Sequence, residues 1–184
     1  LGSFPLAYLT RYTERNGSMN DALVALRTVT KYVLPFEHHL KDGTISRAGG
    51  CCLPTPPSKG NKSPYLWADD QFMGLALMAR LSSVSDNVAN VSKRRSFIDH
   101  DATMQLNYAK YLLDERDGLS AHGAYVVLKS SLSEHLNNAM EGQSTILHSC
   151  CKWGRANGWG ALSRIEILLA VDRSFPNHPL RSSL

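Results

Sequence analysis

Two short stretches concentrate the residue types that do chemistry. One is Trp67-Ala68-Asp69-Asp70-Gln71-Phe72-Met73, where two carboxylates follow an aromatic at the start of a strongly apolar run. The other runs from His148 to Gly160 and crowds Cys150, Cys151, Trp153, Arg155, Asn157 and Trp159 among glycines at 154, 158 and 160. A carboxylate that works as a general acid must hold its proton near neutral pH, and burial or a second negative charge nearby supplies that condition. Asp69 and Asp70, shielded by Trp67, offer both, while the positive end of a helix dipole pulls the other way. The competing reading is a helix cap, an aspartate accepting hydrogen bonds from free amides. One of the pair can cap while the other works.

In the second stretch Trp153 and Trp159 offer flat apolar faces of the kind that stack on sugar rings, and Arg155 offers a planar fork suited to a carboxylate. The plainer alternative makes both tryptophans core residues and Arg155 a surface residue. Glycines at a helix start weaken the helix, so they need a compensating gain, and close backbone approach is the expected one. A third candidate is His122 in Asp117-Gly118-Leu119-Ser120-Ala121-His122-Gly123. This histidine is expected in a turn between helices, beside a glycine that lets another backbone come near.

The four cysteines stand as two adjacent pairs, Cys51-Cys52 and Cys150-Cys151. Neighbouring cysteines point apart and share one tetrahedral ion poorly, whereas structural zinc sites use spaced hooks, so no metal and no cofactor is expected. Small buried thiols are the simpler reading. The net charge of +4 is spread thinly, and its densest group, Lys93-Arg94-Arg95, reads as a solvated helix end rather than a nucleic-acid face. Mild positive potential favours an anionic small substrate. No apolar run approaches the about 20 residues that cross a bilayer, so no membrane partner is expected. Sequons at Asn16, Asn61 and Asn90 hint at secretion but leave the compartment open, as the sequence leaves the oligomeric state open.

A chain of 184 residues with 43% hydrophobic content can bury a substantial core, which excludes the disordered class and suits one domain over residues 1–184. The opening Leu1-Gly2-Ser3-Phe4-Pro5 has the look of a piece cut from something longer. Strand signals are scarce and helix-period apolar patterns recur, so the expected class is all-α. Ala22, Ala25, Leu26, Val29 and Val33 mark one helix face. A second helix is expected from about Ala68 to Leu81, apolar on most sides and therefore deeply buried. A third follows from about Ser96, with Phe97, Met104, Leu106, Tyr108, Tyr111 and Leu112 as core contacts, and a fourth from about Arg155 that ends before Pro176.

Between these helices a theme repeats. Asp42-Gly43 and Asp117-Gly118 are strong turn dipeptides, each expected to close a helix, and each is followed by a loop and a tryptophan entering the next helix. The unit of helix, turn, loop, tryptophan and helix suggests stacked hairpins in a solenoid or a closed toroid, and loops gathered at one rim favour the toroid.

The strings WADDQFMGLALMAR, DGLSAHG and KWGRANGW, followed by a leucine-rich helix, resemble the unsaturated glucuronyl and rhamnogalacturonyl hydrolases, glycoside hydrolase families 88 and 105, over about residues 35 to 180. The resemblance implies a partial (α/α)6 barrel, a toroid of helix hairpins of which this chain supplies about half. It implies action on the unsaturated uronic acid at the non-reducing end of lyase-generated oligosaccharides, by hydration of a vinyl ether. Asp69 then matches the general acid/base, Trp67, His122, Trp153, Arg155 and Trp159 match substrate contacts, and Asn157 falls in the motif without a role. Two departures stand out. The H-G turn continues as Gly123-Ala124-Tyr125, where the family often has an aromatic and an aspartate, and an aspartate that the family contributes from an earlier helix has no clear counterpart. A non-catalytic sugar-binding or truncated relative is therefore the alternative reading.

Overall fold

The protein is described by a computed structural model covering residues 9, 12, 18–36, 38–48, 64–128 and 144–184. Helix α1, Met19–Thr28, continues through a π-helical turn, Val29–Val33, and a 3-10 turn, Leu34–Phe36. Strands β1 (His38–His39), β2 (Ile45–Ala48) and β3 (Pro64–Trp67) lead into a second π-helical turn, Gln71–Leu75, and helix α2, Ala76–Leu81. Helix α3, Val91–Leu112, is followed by β4 (Leu113–Asp114), β5 (Leu119–Ser120), β6 (Gly123–Leu128) and β7 (Ser144–His148), and helix α4, Gly154–Ser174, closes the order before a last 3-10 turn.

The all-α expectation is met by the helices and corrected between them. A five-stranded antiparallel sheet in the order β1-β2-β3-β6-β7 occupies segments read as loops, with β4 and β5 as a separate pair. Its strands are short and β3 begins with proline, so each falls below the length at which period-2 alternation stands out. Both Asp-Gly turns are strand hairpins rather than helix ends. Gly43 has φ 85° and Gly118 has φ 70°, the positive values that such turns demand. In each turn the aspartate Oδ1 accepts from the amide two residues on, Thr44 or Leu119, at 3.0 Å. The repeat survives in a different form: helix, hairpin, strands, tryptophan, helix.

Helix α2 lies centrally, with Ala76, Leu77, Met78, Ala79 and Leu81 all buried, as its unbroken apolar character predicts. One side meets Ala22 and Ala25 of α1 and Val29 of the turn after it, together with Phe97 of α3, and the other joins Ile98, Ala102 and Tyr108 of α3, Ile167 and Val171 of α4, and Leu66 and Ala124 of the sheet. Asn90 caps α3 by accepting from the Lys93 amide, so that helix begins at Val91, ahead of the Ser96 expectation. Arg94 and Arg95 of the basic group pair with Asp86 and Asp99 at its start. Asn16, Asn61, Cys51 and Cys52 lie outside the described residues.

A polar tie joins the two repeats. Tyr111 Oη of α3 donates to Asp42 at 2.6 Å, and Thr44 Oγ1 donates to the same carboxylate at 2.6 Å. Burial pushes the Asp42 carboxyl up, but the bonds from Thr44 and Tyr111 outweigh it and hold the group at about 2 instead of 3.8. Because the folded value lies below the ordinary one, the stability this group contributes is present above about pH 3.8 and is lost as pH falls toward 2. Tyr111→Phe removes one donor, so acid unfolding followed by circular dichroism is expected to begin at higher pH in the variant. An unchanged acid transition would show that the tie carries no such linkage.

Candidate active site

The end of β3, the turn after it, the start of β6 and the start of α4 converge. Trp67 is the last residue of β3 and pairs in register with Gly123, the first of β6. His122 is fixed from both sides: its carbonyl accepts from the Ala68 amide and its own amide donates to the Cys151 carbonyl, each at 2.9 Å. Gly123 permits this closeness, since a Cβ there would lie 1.9 Å from Tyr65 Oη and 2.8 Å from the Leu66 carbonyl oxygen. The close approach anticipated at Gly123 is thus real and is made to β3.

Asp69 sits in the turn between β3 and the π-helical segment and is buried. Its Oδ2 lies 3.5 Å from His122 Nε2 and 3.5 Å from Arg155 Nη2, both long approaches. Its Oδ1 has no hydrogen-bond partner among the described residues. The Trp67 indole N–H donates to His122 Nε2 at 2.8 Å. An indole can only donate, so that nitrogen carries no proton and the ring hydrogen sits on Nδ1. The Asp69 approach to the same nitrogen is therefore not a charge pair.

These groups form a continuous stack of cations and aromatic faces. The Arg47 guanidinium covers the Trp67 ring at 4.6 Å, and Trp67 meets His122 edge to face at 5.8 Å. His122 lies nearly parallel to Trp153 at 4.9 Å, and the Arg155 guanidinium stands 4.9 Å from the Trp153 ring. At either end a guanidinium meets one of the adjacent aspartates. Arg47 grips Asp70 at two points, through Nε at 3.0 Å and through Nη2, and Arg155 stands loosely over Asp69. The capping reading fails for Asp70, whose side chain makes no cap bond and is taken by Arg47. Burial pushes the Asp70 carboxyl up, Arg47 draws it down, and the charge of Asp69 adds to the upward push.

The family model described as Glycosyl Hydrolase Family 88 matches residues 4–182. The chain belongs to that family. A solved structure of a family 105 glycoside hydrolase from C. acetobutylicum ATCC 824 shares 20% identity with it, covering 99% of this chain and 41% of that one with a TM-score of 0.54, a likeness of fold. The family 88 chain thus spans about two fifths of that structure's length. No curated protein matches it.

Of the residues predicted for the site of this family 88 chain, Trp67, Asp69, His122, Trp153 and Arg155 come together. Trp159 stands farther along α4 and stacks on Phe72 instead, at 4.7 Å and 22°. Gly160 allows close approach, since a Cβ would come within 3.2 Å of the Gln71 side chain, but Gly154 and Gly158 face nothing within 4 Å, which corrects the expectation that all three glycines serve contact. Asn157 acquires a role. Its amide donates to the Ser120 and Trp153 carbonyls at 3.1 Å and its Oδ1 accepts from the Ser120 amide at 2.8 Å, tying β5 to the start of α4.

Lys152 works from the other side of the same junction, bridging Asp114 at 2.5 Å and Asp117 at 2.6 Å, while Arg116 grips Asp114 through Nε and Nη2. The bonds from Arg116 and Lys152 hold the Asp114 carboxyl well below the usual carboxylate range. The β4–β5 hairpin is therefore a bracket that sets where Trp153 and Arg155 stand. Arg47 and Lys152 are the residues that sequence reasoning missed, and no local signal marks either, since their importance lies in partners distant along the chain. Cys150 and Cys151 are free, the first exposed and the second half-buried, which corrects the expectation of buried thiols for this pair. Among the described residues no three His, Cys, Asp or Glu side chains gather as a metal site would require.

Proposed function

We propose that this chain carries the acid/base of a site that hydrates the unsaturated uronic acid at the non-reducing end of lyase-generated oligosaccharides, of pectin or rhamnogalacturonan type. The observation that carries the reading is Asp69, a buried carboxylate with one oxygen unpartnered among the described residues, set beside a cationic fork and an aromatic stack. Asp69 gives its proton to C4 of the vinyl ether, and water adds to C5 and returns a proton to the carboxylate. The resulting hemiketal opens and the remaining oligosaccharide leaves. Arg155, with its side chain half exposed, meets the sugar carboxylate. His122 contacts the sugar, Trp67 and Trp153 line the pocket, and Trp159 extends it along α4. Two carboxylates at the separation required by ordinary glycosidases are not needed, because no glycosyl-enzyme bond forms.

The chain in this reading is part of an (α/α)6 toroid. Leu162, Ile165 and Leu169 form an exposed apolar stripe on α4, 46%, 51% and 44% accessible. A groove of about 400 Å³, lined in part by Gln105, Leu113, Ile165 and Leu168, runs between α3 and α4. Both suit the packing of further hairpins. A second reading, a sugar-binding relative without turnover, rests on the aspartate of an earlier helix in the resembling family, which has no clear counterpart in this sequence.

The full chain incubated with an unsaturated uronyl disaccharide in D2O tests the first reading. Loss of the unsaturated sugar's absorbance with one deuterium appearing at C4 is the expected result. Binding without consumption transfers the weight to the second reading.

A further inference from the structure

Asp69 and Asp70 are neighbours in sequence and lie in one turn, yet their surroundings differ. Asp70 meets a complete two-point ion pair from Arg47 of β2, whose guanidinium also covers the Trp67 ring. Asp69 has two long approaches and one oxygen without a partner among the described residues. Of these adjacent carboxylates one is buried and one half-buried, and the charge of Asp69 raises the cost of ionising Asp70, which a nearby cation offsets. Something must decide which of them exchanges protons with a ligand.

We propose that Arg47 is a positioning residue that makes this decision, locking Asp70 into a two-point ion pair so that Asp69 is the carboxylate left free to exchange a proton with the bound sugar. This rests on the reading of Asp69 as acid/base. The charged groups acting on Asp70 are Arg47 from β2 and Asp69 from its own turn; Asp69 is faced by the guanidinium of Arg155 from α4 and by the titratable ring of His122 before β6. With Arg47 gone, burial and the Asp69 charge act on Asp70 unopposed. Asp70 then holds a proton to higher pH and competes with Asp69 as the carboxylate that exchanges one with a ligand. Trp67 also loses the cation on its face, which loosens the indole that bonds His122.

The test uses the full chain as wild type, R47M, R47K, D70N and R47M/D70N. In carbon NMR with labelled aspartate carboxyls, R47M is expected to move the Asp70 titration to higher pH, and an unmoved titration overturns the proposal. On an unsaturated uronyl disaccharide, R47M is expected to lose about tenfold or more in kcat with KM little changed, a loss in the range of a displaced acid/base group. Because the harm comes from the released carboxylate, R47M/D70N is expected to recover most of that loss. A double variant as slow as R47M makes Arg47 a plain sugar contact or packing residue, and the proposal falls. Should R47M not fold, the same readings on R47K, whose point charge lacks the planar fork, are expected to move in the same direction by less. The carboxyl titration does not depend on turnover, so a wild-type chain that consumes no sugar sinks the hydrolase reading while the titration still decides whether Arg47 governs Asp70.

Discussion

Asp69→Asn is expected to lower turnover of an unsaturated uronyl disaccharide by about a thousandfold, within the span that general acid/base groups contribute and equivalent to about 4 kcal/mol of barrier. The amide keeps the shape and much of the polarity of the carboxylate but can neither give C4 its proton nor receive one from water. Disaccharide affinity is expected to change little, because the groups assigned to binding, Arg155 and the aromatic stack, are untouched. Stability should not fall. Asp69 Oδ1 has no partner among the described residues and the two approaches to Oδ2 are long, so the wild type already carries an incompletely satisfied buried polar group. Denaturant unfolding is expected to show the variant as stable as the wild type or up to about 1 kcal/mol more stable, the pattern of a site whose function opposes stability. Undiminished loss of the sugar's absorbance in D69N would remove Asp69 from the role.

Gly123→Ala has the largest expected effect on folding. The new methyl would stand 1.9 Å from Tyr65 Oη, 2.4 Å from its Cζ and 2.8 Å from the Leu66 carbonyl oxygen. Tyr65 is fully buried against Tyr125, with ring centroids 5.0 Å apart, and the carbonyl belongs to β3, so neither can swing aside. The strands must separate where Trp67 pairs with Gly123. Overpacking of this kind destabilises by about 3 kcal/mol or more, at the upper end of the usual range. Gly118→Ala is the matched control. Gly118 has φ 70° but open space around it, so that variant is expected to lose only about 1 kcal/mol, the strain of a side chain in the left-handed region. If the two variants unfold at the same denaturant concentration, the close β3–β6 approach is not what holds this region. The G123A variant should also weaken the Trp67 to His122 bond, because Trp67 belongs to the displaced pair and His122 adjoins it.

The helices were legible because each buries enough of one face for the apolar period to show along it. The buried character of α2 and the end of α4 before Pro176 follow from pattern and proline alone. The sheet was not legible. Most of its strands are too short to show alternation, and β6, the longest, reads as a plain apolar run, Ala124-Tyr125-Val126-Val127, that fits a helix as well. The Asp-Gly dipeptides mark turns, but such a dipeptide specifies a positive φ and not what flanks it, so helix ends and strand hairpins look alike in sequence.

Sequence by itself determined that aromatic, acidic and basic groups lie next to helix starts, in strings specific enough to resemble one family of hydrolases, and that His122 is followed by a residue needing close backbone contact. Those are properties of local spacing, and local spacing survives folding. Only the tertiary structure decided how the two aspartates divide. Asp70 goes to Arg47, which arrives from another strand, and Asp69 is left between His122 and Arg155, which arrive from the start of β6 and from α4. It also removed Trp159 from the stack and gave Lys152 and Asn157 the task of placing Trp153. A charge's partner is chosen by distance in space, and pairings between strands and helices far apart in the chain leave no trace in the periodicity of either.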